Sequence, residues 1–162
     1  MARNVALTGF ARELSDRAKP VRIGLIGSGE MGTDIVSRTA MMDGVDVAAI
    51  AEIRPQAAHD AVATAYGETG HSRDASSTDA LNRVIEDGHI AIASDATQMF
   101  ESGLIDVVID ATGVPAVGAE LGLAAMERGK HLVMMNVEAD VTIGAFLRSE
   151  AERLGVVYSL GA

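Results

Sequence analysis

Val21-Arg-Ile-Gly-Leu-Ile-Gly-Ser-Gly-Glu-Met-Gly32 decides the fold of this 162-residue chain. Val21 to Ile26 is a short run of strand formers. Gly27, Ser28, Gly29, Glu30, Met31 and Gly32 then spell G-x-G-x-x-G, and Met31, Ile35, Thr39 and Met42 recur behind them at helical spacing. A strand, a glycine turn and a helix in that order open a dinucleotide-binding βαβ unit. Each glycine meets a separate demand. Gly27 lets the chain turn sharply out of the strand, Gly29 offers no side chain to an approaching pyrophosphate, and Gly32 lets the helix pack closely. The amides of residues 29–32 have no acceptor inside the helix, and the helix dipole is positive there. Together they hold phosphate without a basic side chain.

Working outward, Val45 to Ala51 reads as the second strand, and Glu52 stands at its end, 20 positions after Gly32. A carboxylate at that spacing accepts hydrogen bonds from the adenosine ribose hydroxyls and repels a 2′-phosphate, which favours NAD. Arg54 pulls the other way, because a guanidinium can clamp a 2′-phosphate. A solvated charge is the plainer reading of either residue.

The rest of the chain alternates helices and strands. Leu7, Phe10, Ala11, Leu14 and Ala18 predict an amphipathic helix over residues 4–18, stopped by Pro20. Further helices are expected at 30–42, 55–66, from Ser76 or Ser77 to Glu86, at 96–101, from Pro115 to Gly129, and through Ile143 to Leu154. Strands are expected at 21–26, 45–51, 90–93, 105–109, 131–135 and 156–159, with a polar loop over 67–76. Strands alternating with helices predict an α/β fold, a Rossmann doubly wound parallel sheet ordered 3-2-1-4-5-6, with an extra N-terminal helix. Residues 1–20 form the helical extension and 21–162 the dinucleotide-binding domain.

Composition agrees and excludes alternatives. The chain is 48% hydrophobic but only 3% aromatic, so its core is aliphatic, as suits helices on a parallel sheet. It has no cysteine, which removes disulfides, thiolate nucleophiles and Cys-ligated zinc. A formal charge of −10 repels nucleic acid and anionic membranes, so phosphate must be bound locally, by amides. No apolar run approaches a membrane span and no signal peptide is evident, so a cytoplasmic protein is expected. His59, His71, His89 and His131 are scattered without metal-ligand spacing, so no metal site is expected. There is no G-x-S-x-G elbow and no Walker pattern.

A second half-site is expected beyond the strand ends, where ligands of open α/β sheets lie. Asp110-Ala111-Thr112-Gly113-Val114-Pro115 is a small-residue turn that lets the nicotinamide ribose approach Ala111, Thr112 and Gly113. The plainer reading makes Thr112 a cap. Asn136 can bond the nicotinamide ribose or carboxamide. Glu138 and Asp140 can contact substrate or metal, although capping of the last helix by Asp140 is the simpler role. No catalytic residue is identified. The chain runs only to Ala162, and a dehydrogenase needs a second wall for its substrate, so a further domain in a longer enzyme is expected.

Residues 21–162 resemble the N-terminal domain of homoserine-dehydrogenase-like oxidoreductases that carry a C-terminal SAF domain. Within that group the likeness is to the 1-deoxy-D-xylulose 5-phosphate reductoisomerase-like enzymes. It is carried by Arg22 to Asp34, Asp110 to Pro115, and above all Gly129-Lys-His-Leu-Val-Met-Met-Asn-Val-Glu-Ala-Asp140. The leading helix and Tyr158-Ser-Leu-Gly161 also fit. The resemblance implies NADPH-dependent rearrangement and reduction of a sugar phosphate to 2-C-methyl-D-erythritol 4-phosphate, for isoprenoid biosynthesis, with a divalent metal held by another domain. It assigns Gly27, Ser28, Gly29, Glu30 and Met31 to pyrophosphate, and Thr112 and Asn136 to the nicotinamide half. Two positions depart from it. Homoserine dehydrogenases have a lysine where this chain has Val137, which argues against homoserine oxidation, and Glu52 is unexpected beside NADPH. The cofactor is thus NAD(P), with NADPH favoured by resemblance and NAD by Glu52. Other readings are a different small-aldehyde or acid dehydrogenase, or an NAD(H)-sensing module without chemistry. The expected partners are a nicotinamide dinucleotide, a sugar phosphate or other small carbonyl compound, and a second copy of the chain.

Overall fold

A computed structural model describes residues 9–161. The helix expected over 4–18 is seen as α1 (Gly9–Ser15), and residues 4–8 lie outside the described residues. The chain then runs β1 (Val21–Ile26), α2 (Glu30–Thr39), β2 (Val45–Ala51), α3 (Pro55–Tyr66), β3 (Ser72–Asp74), α4 (Thr78–Glu86) and β4 (Ile90–Ala93). It continues through α5 (Thr97–Glu101), β5 (Val107–Asp110), α6 (Pro115–Glu127), β6 (His131–Met134), α7 (Val137–Leu154) and β7 (Tyr158–Leu160).

The strands form one parallel sheet ordered β3-β4-β2-β1-β5-β6-β7. Without β3 this is the expected 3-2-1-4-5-6 order. The loop expected over 67–76 therefore needs correction, since Ser72-Arg73-Asp74 pairs with β4 as an edge strand. Three polar residues give no apolar alternation to read. Side-chain bonds hold the strand instead: His59 on α3 contacts Ser72 Oγ at 2.7 Å and Asp74 Oδ1 at 2.9 Å.

Both faces of the sheet are covered, as a parallel sheet requires. Ile23, Leu25, Val47 and Ile50 pack with Val36 of α2 and Ala58 and Val62 of α3. On the other face Ala49, Val108, Leu132 and Met134 meet Leu81 of α4, Phe100 of α5, Met126 of α6 and Leu147 of α7. Leu25, Ile50, Leu81 and Leu132 are fully buried, each contributing about 1.5–3 kcal/mol.

Helix starts follow local chemistry. Pro55 and Pro115 occupy first-turn positions of α3 and α6, and Ser77 Oγ accepts the Ala80 N–H to start α4. The last helix is longer than expected and begins at Val137. Asn136 caps it, with Oδ1 accepting the Ala139 N–H at 3.1 Å. Asp140, expected as the cap, sits in the first turn and instead accepts a hydrogen bond from the Tyr158 hydroxyl.

Candidate functional site

The carboxyl ends of β1, β2, β4 and β5 surround a cleft of ≈ 500 Å³. Gly27, Gly29, Glu52, Arg54, Ala111 and Thr112 line it. A second, smaller hollow of ≈ 90 Å³ lies by His59 and Thr69, away from the strand ends.

Gly27 turns the chain with φ +91°, and its N–H donates to Ala51 O at 2.9 Å, tying the loop to β2. Gly32 is demanded by the protein itself, because a Cβ there would strike the Gly27 carbonyl. Gly29 is different. A Cβ at Gly29 would meet nothing within 4 Å, so no internal contact calls for a glycine. Its lack of a side chain leaves open the space at the start of α2, where helix N-terminal amides can bind an anion. No hydrogen bond within the described residues engages the amides of Gly29, Glu30, Met31 or Gly32, and no side chain caps α2. Thr33 supplies the first cap contact, its N–H donating to Gly29 O at 2.9 Å. Ser28 of the loop and Glu30, Met31 and Gly32 of the first turn of α2 do not line the cleft; Ser28 is buried and Met31 exposed.

Glu52 reaches back to the same loop. Its Oε2 accepts the Ser28 N–H at 3.0 Å and the Ser28 Oγ–H at 2.9 Å, and its Oε1 accepts the Arg54 N–H at 3.1 Å. Partial burial pushes the Glu52 carboxyl up. The two backbone bonds, the Ser28 hydroxyl and the Arg54 charge outweigh burial and hold it below its ordinary value. An anion is thereby fixed at the lip of the cleft. The Arg54 side chain borders the cleft, is 80% exposed, and has its Nε 4.0 Å from Glu52 Oε1.

Across the cleft, Asp110 ends β5. Its Oδ1 accepts the Thr112 N–H at 3.2 Å and shapes the turn through Gly113, which has φ +66°. Burial drives the Asp110 carboxyl above its ordinary value, beyond what Thr112 and the facing Asn136 amide return. Asn136 does not line the cleft: it is 2% exposed, and its carbonyl is committed to the α7 cap.

Ser94 and Asp95, which follow β4 into the cleft, and Val117 and Leu121, which share a face of α6, were not identified as site residues from sequence. The rule that ligands sit past strand ends would have found the first two. The second pair sits one helical turn apart, a spacing that core and cleft faces share. Of the histidines, His59 pins β3, His71 contacts Glu68, and His131 Nδ1 accepts the Val157 N–H; none lines the large cleft.

Residues 24–160 match the family model described as the homoserine dehydrogenase NAD-binding domain. No curated protein matches the chain in sequence. Among solved structures, a 3-ketoreductase from Actinomadura kijaniata, in complex with TDP-benzene and NADP, shares 17% identity with a TM-score of 0.63, covering 88% of this chain and 37% of its own. A homoserine dehydrogenase from Thiobacillus denitrificans shares 20% identity with a TM-score of 0.59, covering 88% and 29%. The WlbA dehydrogenase from Bordetella pertussis, in complex with NADH and UDP-GlcNAcA, shares 17% with a TM-score of 0.62, covering 88% and 37%. The chain thus spans between 29% and 37% of the length of these proteins. Their likeness establishes the fold. No described helix is long and apolar enough to cross a membrane.

Proposed function

Because this chain belongs to the family of homoserine dehydrogenase NAD-binding domains, we propose that its large cleft holds the nicotinamide dinucleotide of an oxidoreductase that moves hydride to or from a small carbonyl compound. One observation carries this reading. The α2 amides stand unpaired beside a glycine that the protein's own packing does not require, at the mouth of a cleft bordered by an oriented carboxylate. The cofactor supplies the hydride when bound, and this chain supplies position and field.

Each residue has a distinct part. The amides from Gly29 to Gly32 receive the pyrophosphate. Glu52 receives the adenosine ribose hydroxyls, and its fixed negative charge opposes a 2′-phosphate, so NAD(H) is preferred over NADP(H). Arg54 moderates that preference. Ala111, Thr112 and Gly113 lie along the nicotinamide ribose, and Asn136 orders the backbone beside it by starting α7.

The finer assignment, the cofactor half of a reductoisomerase acting on 1-deoxy-D-xylulose 5-phosphate, rests on the likeness carried by residues 22–34, 110–115 and 129–140, and the NADPH dependence that this likeness implies runs against the Glu52 charge. The family match and the solved structures support the broader oxidoreductase reading. The 3-ketoreductase and the Bordetella dehydrogenase were solved with nucleotide-linked ligands, which keeps sugar-derived carbonyl compounds among the candidates. Val137, lacking a charge, weighs against homoserine.

Titration of the chain with NADH and with NADPH, followed by nicotinamide fluorescence, tests the reading. Saturable binding with NADH the tighter ligand is expected. Absence of saturation at millimolar concentrations of both would overturn it.

A further inference from the structure

Asp110 is fully buried, and hydride transfer as described makes no use of its charge. A carboxylate is costly to keep in such a place unless its hydrogen bonds serve a purpose. Its surroundings show an arrangement that a simple core position does not need. Oδ1 fixes the Thr112 turn, whereas Oδ2 is buried without a hydrogen-bond partner. On the adjoining strand end, Asn136 Nδ2 is likewise buried and unpartnered. Both atoms face Gly118 of α6: a Cβ there would collide with Asp110 Oδ2 and come within 3.2 Å of Asn136 Nδ2. An acceptor and a donor therefore share one small space that only a glycine leaves open. The strand ends themselves are joined, since the Met135 N–H donates to Asp110 O at 2.9 Å. The other end of the Asn136 amide starts α7 through the Ala139 N–H.

These contacts form a bracket running from the Thr112 turn through Asp110 and Asn136 to the first turn of α7, with Gly118 as its clearance. We propose that Asp110 is a positioning residue for the nicotinamide half of the cofactor, holding the Thr112 turn and the start of α7 in fixed relation. The proposal rests on the dinucleotide reading of the cleft. The adenosine half is held elsewhere, by the α2 amides and Glu52, so the two halves are separable by ligand choice.

The test compares NADH with ADP-ribose, which keeps the pyrophosphate and adenosine but lacks nicotinamide, by calorimetric titration of the intact chain. Asp110→Asn sets an amide donor against the Asn136 donor. NADH affinity is expected to fall about tenfold, with ADP-ribose affinity unchanged within about twofold. The exchanged pair, Asp110→Asn with Asn136→Asp, again sets a donor against an acceptor and keeps an oxygen for the α7 cap. It is expected to return NADH affinity to within about threefold of the parent. Gly118→Ala fills the clearance without altering either side chain and is expected to show the same split between ligands. Should Asp110→Asn fail to fold, the exchanged pair and Gly118→Ala carry the measurement. Equal losses for both ligands, no loss for NADH, or a folded exchanged pair that stays weak overturns the proposal. Failure of the parent chain to bind ADP-ribose would instead overturn the cleft assignment itself.

Discussion

Two carboxylates stand at strand ends beside the cleft and behave oppositely: Glu52 lines the cleft, whereas Asp110 is fully buried and does not. Glu52 follows β2 and is met by two N–H groups and a hydroxyl, which keep it charged despite partial burial. Asp110 closes β5 and is fully buried; its Oδ1 accepts the Thr112 N–H, and burial outweighs what Thr112 and the Asn136 amide return, so its pKa rises. Sequence position alone does not separate them, since both stand at the end of a buried parallel strand. The balance between burial and the donors that the neighbouring loop supplies does. On the proposed reading, the first carboxylate presents its charge to a ligand and the second holds its own scaffold.

The sharpest way to break this contrast is in the glycine loop. Gly32→Ala drives a methyl into the Gly27 carbonyl, so both stability and the seat should suffer. NADH affinity should drop by about a hundredfold or more, with a visible fall in Tm. Gly29→Ala meets open space and should leave Tm unchanged while costing roughly tenfold or more in NADH affinity. A matching loss of Tm at Gly29 would mean that the glycine serves folding rather than a ligand.

Glu52→Gln tests the charged half next. NADH binding should weaken about tenfold and NADPH binding should gain relative to it, read from paired fluorescence titrations. Arg54→Ala should lower NADPH affinity by a smaller factor, because the guanidinium is largely exposed.

Smaller still is the effect on stability against pH. The folded pKa of Glu52 lies below its unfolded value, so its contribution is present above that unfolded value and lost as pH falls through the folded one. The folded pKa of Asp110 lies above its unfolded value, so its contribution is present at low pH and lost as pH rises through the folded one. Denaturation curves across the acid range should therefore lose their low-pH decline in part for Glu52→Gln. For Asp110→Asn they should lose part of the decline on the rising side. The same direction for both variants would erase the distinction between the halves.

Much of this was legible in the residues. The βαβ opening, the sheet order and the placement of Glu52 follow from glycine spacing and apolar runs, which are local signals. β3 was not legible, because Ser72, Arg73 and Asp74 join the sheet through backbone pairing and a distant histidine. The start of α7 was missed because Val137 to Asp140 lacks an apolar period, and the cap that starts the helix is a single asparagine. The bracket around Asp110 was hidden for a related reason. It depends on a glycine in α6 meeting the last residue of β5 and the cap of α7, and no spacing in the chain encodes that meeting.

A seat made from peptide dipoles has a consequence for how ions in solution act on it. Sites that grip diphosphates with lysine and arginine weaken as salt rises, since counterions compete for the same attraction. In the proposed seat the attraction is short in range and fixed in the backbone, while this chain, at −10, pushes the dinucleotide away at a distance. Dissolved electrolyte masks the repulsion and leaves the attraction nearly intact, so the association rate should rise with ionic strength.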